Sequence, residues 1–279
     1  MNPGDLLLLP DPGYPDYLSG VSLGRVAYET FPLTAENDFL PDLDAIPEET
    51  ARRAKFIYIN YPNNPTGAVA TKAFYEKLVA WAKTYEVGVV SDLAYGALGY
   101  RGYENPSFLS TPGAKDVGVE FYTFSKTFNM AGWRLAFAAG NDQMIEALNL
   151  IQDHLFVGIF PALQEAGIAA LLDPKSEEAV APLNATYDSR RDAFVQAAAK
   201  IGWQAFPSRG SFYAWMPVPE GYTSESFADL LLEKAHVAVA PGKGFGPAGD
   251  AYVRIGLLVE PERLVEAVDR IANLHLFNN

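Results

Sequence analysis

Short apolar runs alternate with helical patterns through the first 175 residues, and this alternation constrains the fold more than any other feature of the sequence. The runs that predict strands cover residues 6–9, 56–60, 88–91, 120–124 and 135–139. Several are continuously apolar, which is typical of a parallel sheet covered on both faces. Helices are predicted between them, over residues 74–85, 144–156 and 161–172. We therefore predict an α/β fold with a doubly wound, mostly parallel sheet.

The rhythm changes after residue 175. One long helix is predicted over residues 176–201, and three strands follow, over residues 212–216, 237–240 and 252–257. Further helices are expected at about 224–234 and 261–274, where Pro261 suits a first helical turn because that turn leaves its N–H groups unpaired. The pattern predicts a large α/β domain over residues 1–185 and a smaller C-terminal α+β domain over residues 186–279.

Composition excludes several classes of function. The net charge of −13 repels phosphate backbones and anionic membranes, so neither nucleic acid nor membrane is expected as a partner. The chain has no cysteine and three histidines, which excludes a disulfide framework and a thiolate nucleophile and argues against a metal site. No apolar run approaches the roughly 20 residues of a membrane span, and the first residues lack the basic region of a signal peptide. We expect a cytoplasmic protein.

Two segments place polar side chains directly after predicted strands. Residues 60–67 read NYPNNPTG at a strand end, where ligands bind in parallel sheets, although the same residues are also typical of a plain turn. Asp92 ends another apolar strand, where a carboxylate is costly without a partner. It could cap a helix, bind a metal or pair with a cationic ring nitrogen.

Two further segments carry cations. Lys126 follows an apolar strand, and burial there would favour the neutral amine that Schiff-base chemistry requires. Arg254 alternates with apolar residues on a strand, and arginine is suited to bidentate capture of a carboxylate. Taken singly, each is better interpreted as a surface residue.

Together, the four segments resemble the fold-type I aminotransferases that use pyridoxal 5'-phosphate (PLP). NPTG, SD-x-x-Y at residues 91–95, SK-x5-GWR at 125–134 and YVRI at 252–255 are similar to the class I/II group, which includes aspartate and LL-diaminopimelate aminotransferases. The resemblance runs from Asn2 to about Leu274. It implies the PLP-dependent transferase-like fold.

The resemblance also implies roles for residues near the reacting atoms. Lys126 would hold PLP through its amine and then shuttle a proton between substrate and cofactor. Asp92 would pair with the protonated ring nitrogen, and Asn64 and Tyr95 would hydrogen-bond the phenolic oxygen of the ring. Arg254 would grip the substrate α-carboxylate.

Four more residues are implied as cofactor contacts. Tyr14 matches the aromatic residue that stacks on the ring, and Arg134 matches the phosphate-binding arginine. Thr123 and Ser125 would add hydroxyl contacts to the phosphate. Gly210–Tyr213 resembles a segment near the substrate entrance and receives no role.

The implied reaction is ping-pong transfer of an amino group between an amino acid and a 2-oxo acid, in a homodimer. A PLP lyase or decarboxylase, and a shortened or degenerate protein with little PLP binding, remain open alternatives. The sequence departs from the family pattern at its start, because the glycine-rich turn and first strand that precede NPGD in the family are absent from these residues. We expect weaker PLP binding and exposed apolar surface as a result.

Overall fold

A six-stranded sheet forms the centre of the computed structural model, which describes residues 1–277. Its strands lie in the order β2-β1-β3-β4-β5-β6. Their bounds are β1 Leu6–Asp11, β2 Ala27–Pro32, β3 Ala54–Asn60, β4 Gly88–Asp92, β5 Gly118–Thr123 and β6 Ala136–Gly140. All neighbouring strands are parallel except β5 and β6, which are antiparallel. The mostly parallel sheet is therefore confirmed, and β1, β3, β4 and β5 end at one common edge.

Helices cover both faces of this sheet. They are α1 Asp16–Gly24, α2 Glu48–Arg53, α3 Lys72–Tyr85, α4 Ala114–Val117, α5 Phe124–Thr127, α6 Asp142–Leu155 and α7 Pro161–Leu172. Leu78 of α3 is fully buried against one face with Ile57 of β3, and Val21 of α1 packs on the opposite face with Leu7 of β1. Because side chains alternate along a strand, the continuous apolar runs supply both faces with core residues.

A smaller antiparallel sheet follows, in the order β7-β9-β8. This part of the chain contains α8 Ser176–Lys200, β7 Tyr213–Pro217, α9 Ser224–Leu230, β8 Ala240–Pro241, β9 Tyr252–Gly256 and α10 Pro261–Ala272. It has its own core, in which Trp203, Phe227 and Val268 are almost completely buried. The domain boundary predicted between residues 185 and 186 falls inside α8 and stays a prediction.

Some predicted elements were wrong in extent. The strand predicted over residues 237–240 is wrong in extent, because only Ala240 and Pro241 pair with β9. The N–H of Val237 bonds instead to the carbonyl of Leu231, the first residue of a π-helical turn. That turn, Leu231–Ala235, also replaces the end of the helix predicted over residues 224–234. Phe124, predicted to end a strand, begins α5 instead.

Large apolar side chains are exposed on α6, on α7 and on the segment between them. They include Leu150, Ile151, Leu155, Phe156, Phe160 and Leu172. Apolar patches of this kind mark surfaces that contact another chain or segment. No helix within residues 1–277 combines the length and apolar character needed to cross a bilayer.

Candidate active site

The ends of β3 and β4 are tied together by one asparagine. Asn60 pairs with Asp92 in the parallel register, and its Nδ2 donates to the backbone carbonyl of Asp92 over 2.9 Å. Its Oδ1 accepts from the backbone N–H of Asn64, also over 2.9 Å. Asn60 is buried, so this amide holds the turn carrying Asn64 against the strand carrying Asp92.

The turn at residues 60–67 is closed by its own side chains. Asn63 Oδ1 accepts from the backbone N–H and the hydroxyl of Thr66, over 3.0 and 2.7 Å. Gly67 has a φ of 71°, and an added Cβ would lie 2.3 Å from Ser208 Oγ. Only glycine fits there, and its carbonyl accepts from Ser208 Oγ over 2.9 Å. The turn is thereby fastened to the chain that leads into the small sheet.

Asp92 ends β4, and each of its carboxylate oxygens accepts one hydrogen bond. Oδ1 accepts from the backbone N–H of Ala94 over 3.1 Å, and Oδ2 accepts from the hydroxyl of Tyr17 over 2.7 Å. Desolvation raises the pKa of Asp92, and these two hydrogen bonds lower it. Within the described chain, no lysine, arginine or histidine forms an ion pair with this carboxylate. A poorly solvated anion with only neutral donors is suited to a cationic ligand atom.

Lys126 lies on α5, one short turn beyond the end of β5. Thr123 caps this turn by accepting the N–H of Ser125, and Phe124 and Thr127 are buried beneath it. The Lys126 ammonium lies 5.7 Å from the centroid of the Phe212 ring. No carboxylate of residues 1–277 pairs with it. The amine is thus held near an aromatic wall without a counter-ion.

Arg254 brings the small sheet to the same place. It lies on β9, and its Nη1 donates to Asn64 Oδ1 over 2.7 Å. Its guanidinium carbon is 4.1 Å from the Tyr213 ring centroid and 4.6 Å from that of Phe245. Burial lowers the pKa of Arg254, while the neighbouring tyrosines raise it. One N–H is used by Asn64, so the rest of the fork is available to a carboxylate.

Three aromatic residues connect Arg254 to Lys126. The hydroxyls of Tyr95 and Tyr213 are 3.4 Å apart, and Tyr95 is buried. The Phe212 ring contacts the Tyr95 ring at 5.2 Å and the Tyr213 ring at 4.8 Å between centroids. The structure therefore brings five predicted site residues into one connected cluster: Asn64, Asp92, Tyr95, Lys126 and Arg254.

Tyr14 joins this cluster at its edge. Its ring packs edge-on against Tyr17 at 5.6 Å, and its hydroxyl donates to Asp16 Oδ2 over 2.5 Å. That hydrogen bond raises the pKa of Tyr14 to about 12, with desolvation as the second cause. Tyr14 remains 39% exposed, so part of the residue is accessible to a ligand.

The predicted phosphate contacts form a separate group. Thr123 Oγ1 donates to Ser125 Oγ over 2.9 Å. Arg134 is exposed just before β6, and its Nη1 donates to the carbonyl of Ala131 over 2.9 Å. No hydrogen bond within the described chain joins Arg134 to the two hydroxyls, so its role as a phosphate ligand stays a prediction.

Three site residues were missed in the sequence. Tyr17 binds Asp92, Tyr213 lies over Arg254, and Phe245 lies over it from another loop. The segment containing Tyr213 was noted without a role. Nothing local distinguishes Tyr17 from a core aromatic, because its partner is 75 residues away.

A cavity of about 280 Å³ borders the cluster on the Tyr14 side. Its walls include the segment 13–18, which carries Tyr14 and Tyr17, and the segment 243–247. The hydrogen bond from Gly13 N to the Phe245 carbonyl joins the two segments. Asp92, Lys126 and Arg254 are not among its lining residues. The cavity adjoins the reacting groups and does not contain them.

The fold is the PLP-dependent transferase-like fold of the aminotransferases. The fold aligns with an aminotransferase structure from Staphylococcus aureus at a TM-score of 0.95 and 40% identity, over 100% of this chain and 73% of that one. It aligns with substrate-bound BacF from Bacillus subtilis at a TM-score of 0.93 and 46% identity, over 99% of this chain and 70% of that one.

The chain belongs to the family "Aminotransferase class I and II", whose model matches residues 1–271. It is 57% identical to L-glutamine--4-(methylsulfanyl)-2-oxobutanoate aminotransferase from Bacillus subtilis (strain 168), over 99% of this chain and 69% of the relative. It is 49% identical to LL-diaminopimelate aminotransferase from Moorella thermoacetica, over 97% and 69%. Members of this family are PLP-dependent enzymes.

Proposed function

We propose that this chain transfers an amino group between an amino acid and a 2-oxo acid, with PLP held on Lys126. The observation that carries this proposal is that three charged side chains lie near one sheet edge without partners of opposite charge. Asp92 lacks a cationic partner, and Arg254 and Lys126 lack anionic partners within the described chain. A ligand with a cationic ring nitrogen, a carbonyl and a carboxylate-bearing substrate complements all three.

The cofactor-contacting residues fit PLP in their hydrogen-bonding capacity. Asn64 Oδ1 accepts from Arg254, which leaves its Nδ2 to donate to the phenolic oxygen of the ring. Tyr95 can accept from Tyr213 and donate its own proton to the same oxygen. Tyr14 is partly accessible, and its aromatic ring could stack on the cofactor.

The phosphate end of the site would use the second group of residues. Arg134 keeps N–H donors beyond the one given to Ala131, and the hydroxyls of Thr123 and Ser125 lie at the end of β5. Arginine and hydroxyl donors together are suited to a phosphate.

Bound PLP supplies the electron sink that stabilises negative charge at the substrate α-carbon. Asp92 would keep the ring nitrogen protonated by pairing with it. Once the amino group of the substrate has displaced the Lys126 amine from PLP, the freed Nζ would take the proton from the α-carbon and pass it to the cofactor carbon that receives the amino group. Arg254 orients the substrate through its α-carboxylate, so that the α-carbon lies within reach of Lys126.

The substrate side chain is not determined by this cluster. The relatives named above transfer amino groups but act on different compounds, and the residues assigned here recognise only what all amino acids share. We propose LL-diaminopimelate, and glutamine with 4-(methylsulfanyl)-2-oxobutanoate, as the first substrates to examine, because the relatives are named for them.

Covalent capture tests the proposal. The purified chain is mixed with PLP, reduced with borohydride and digested, and the mass of each lysine-containing peptide is measured. We expect the label on Lys126, no label after Lys126→Ala, and full label after Lys77→Ala, since Lys77 is an exposed lysine paired with Asp44. Labelling spread over several lysines would contradict the assignment.

Product analysis then separates amino transfer from the other PLP reactions. Amino acids are supplied with a 2-oxo acid, and the products are quantified. Equal amounts of new amino acid and new 2-oxo acid are expected. Release of carbon dioxide or free ammonia instead would indicate a decarboxylase or lyase.

We also propose that the chain assembles as a homodimer, with the exposed apolar side chains of α6 and α7 in or near the contact. Light scattering coupled to size-exclusion chromatography tests this. A mass of one chain across the working concentration range would refute it.

A further inference from the structure

Tyr17 holds one oxygen of Asp92 in a way that no role assigned so far explains. Its hydroxyl donates to Oδ2 over 2.7 Å, while the N–H of Ala94 donates to Oδ1 over 3.1 Å. Two donors on two different oxygens fix the plane of a carboxylate, because rotation about its Cβ–Cγ bond would break both bonds.

The surroundings of Asp92 make Tyr17 a permanent donor. Desolvation, with the charge of Asp92 as the second cause, raises the pKa of Tyr17 well above its ordinary value, so the hydroxyl stays protonated. The other titratable groups facing the carboxylate are Tyr14, Tyr58 and Tyr95, which are neutral as well. Tyr17 is the one among these four tyrosines that hydrogen-bonds Asp92 in the described structure.

The position of Tyr17 is itself fixed by packing. It lies in the first turn of α1, and its ring contacts the rings of Tyr58 at 5.2 Å and Tyr14 at 5.6 Å. Val21, one turn later, anchors α1 on the sheet beside Leu7 and Leu9. The helix that carries the group orienting Asp92 therefore begins two residues after Tyr14, the residue offered for ring stacking.

We propose that Tyr17 is a positioning residue, which presents the carboxylate of Asp92 to the ring nitrogen of PLP in a fixed orientation. This inference rests on the proposed function. Each carboxylate oxygen accepts about two hydrogen bonds, so the clamp leaves one free position on each oxygen for the ring N–H. Tyr17 acts through Asp92 and need not touch the cofactor.

The test compares two ligands that differ at one atom. PLP carries the ring nitrogen, and its 1-deaza analogue has a carbon there but keeps the phosphate, the phenolic oxygen and the carbonyl. Affinities of both are measured by fluorescence titration for the parent chain and for Tyr17→Phe, which keeps the ring and loses the hydroxyl. We expect Tyr17→Phe to weaken PLP binding about tenfold, the lower end for one hydrogen bond to a charged group. Binding of the deaza analogue should stay unchanged.

Two controls isolate the hydrogen bond. Tyr58→Phe removes a nearby hydroxyl that does not bond to Asp92 in this structure, and it should alter neither affinity. In an Asp92→Asn background, Tyr17→Phe should not further reduce the ratio of the affinity for PLP to that for the deaza analogue, because the two residues act as one unit.

Each other outcome overturns the inference. Equal weakening of both ligands, including through misfolding of the variant, would make the role of Tyr17 structural. Unchanged PLP affinity would make the hydrogen bond irrelevant to the cofactor. A parent chain that binds PLP no better than the deaza analogue would remove the role of Asp92, and a parent chain that binds no PLP would overturn the proposed function itself.

Discussion

Replacing Arg254 by lysine keeps a positive charge on β9 and removes the planar fork. In the structure, one arm of the guanidinium donates to Asn64 while its carbon lies over the rings of Tyr213 and Phe245. A lysine ammonium can replace one of these donors but cannot serve Asn64 and both oxygens of a carboxylate in the same plane. The substitution therefore tests whether this residue recognises the substrate carboxylate.

The expected loss follows from the contacts that disappear. One hydrogen bond to a charged group contributes about 1.5–3 kcal/mol. Loss of one of the two donors to the carboxylate therefore corresponds to a roughly 10- to 150-fold weaker affinity for the amino acid. The Arg254→Lys variant should still bind PLP, because Arg254 is assigned to the substrate.

The assay is the amino-acid half-reaction of the PLP-loaded chain, followed by visible absorbance. Each amino acid is compared with the primary amine that lacks its carboxylate. Arg254→Lys should weaken the amino acid by the stated factor and leave the slow reaction of the amine unchanged. Arg263→Lys, an exposed arginine of α10 paired with Glu266, is the matched control and should change neither. Equal losses for the amino acid and the amine, or an amino-acid affinity within about threefold of the parent, would refute the reasoning.

Two further predictions concern stability. Desolvation raises the pKa of Asp92 in the folded state, so the folded chain favours the protonated carboxyl. The PLP-free chain therefore has this stability in acid and loses it as pH rises through that pKa. Asp92→Asn should therefore gain stability relative to the parent as pH rises above about 4 in urea unfolding, and parallel pH profiles would contradict this. Leu78→Ala, at a fully buried position of α3, should lower the free energy of unfolding by about 3 kcal/mol, whereas Leu23→Ala, at an 88% exposed position, should lower it by less than about 0.5 kcal/mol. Similar urea midpoints for these two variants would contradict the packing of the core.

The large sheet was predictable where its strands are buried on both faces. β2 was missed because only Phe31 is buried along Ala27–Pro32, so this edge strand has no apolar run to reveal it. Helix α1 was missed for a similar reason, since Val21 is its one buried residue. Hydrophobic periodicity in the sequence predicts an element only when several of its residues are buried, and elements at the margin of the core bury few.

The candidate site was predictable where chemistry lies at strand ends. Asn64, Asp92 and Lys126 each follow an apolar strand closely, so topology alone places them at one edge. Tyr17 and Phe245 depend on which loops meet in three dimensions, as in the bond from Gly13 to the Phe245 carbonyl. No local pattern carries that information.

The contacts that complete the site span most of the chain. The hydrogen bond between Asn64 and Arg254 joins positions 190 residues apart, and the one between Asp11 and Ala248 joins positions 237 apart. During synthesis, the turn that carries Asn64 is made long before β9. Arg254 can therefore bond to Asn64 only after β9 has been synthesised. Contacts between residues so far apart in sequence form slowly, so the ligand-binding edge of the large sheet is completed late in folding. A cofactor that binds only the completed site would then stabilise the fully folded chain and shift the folding equilibrium toward it.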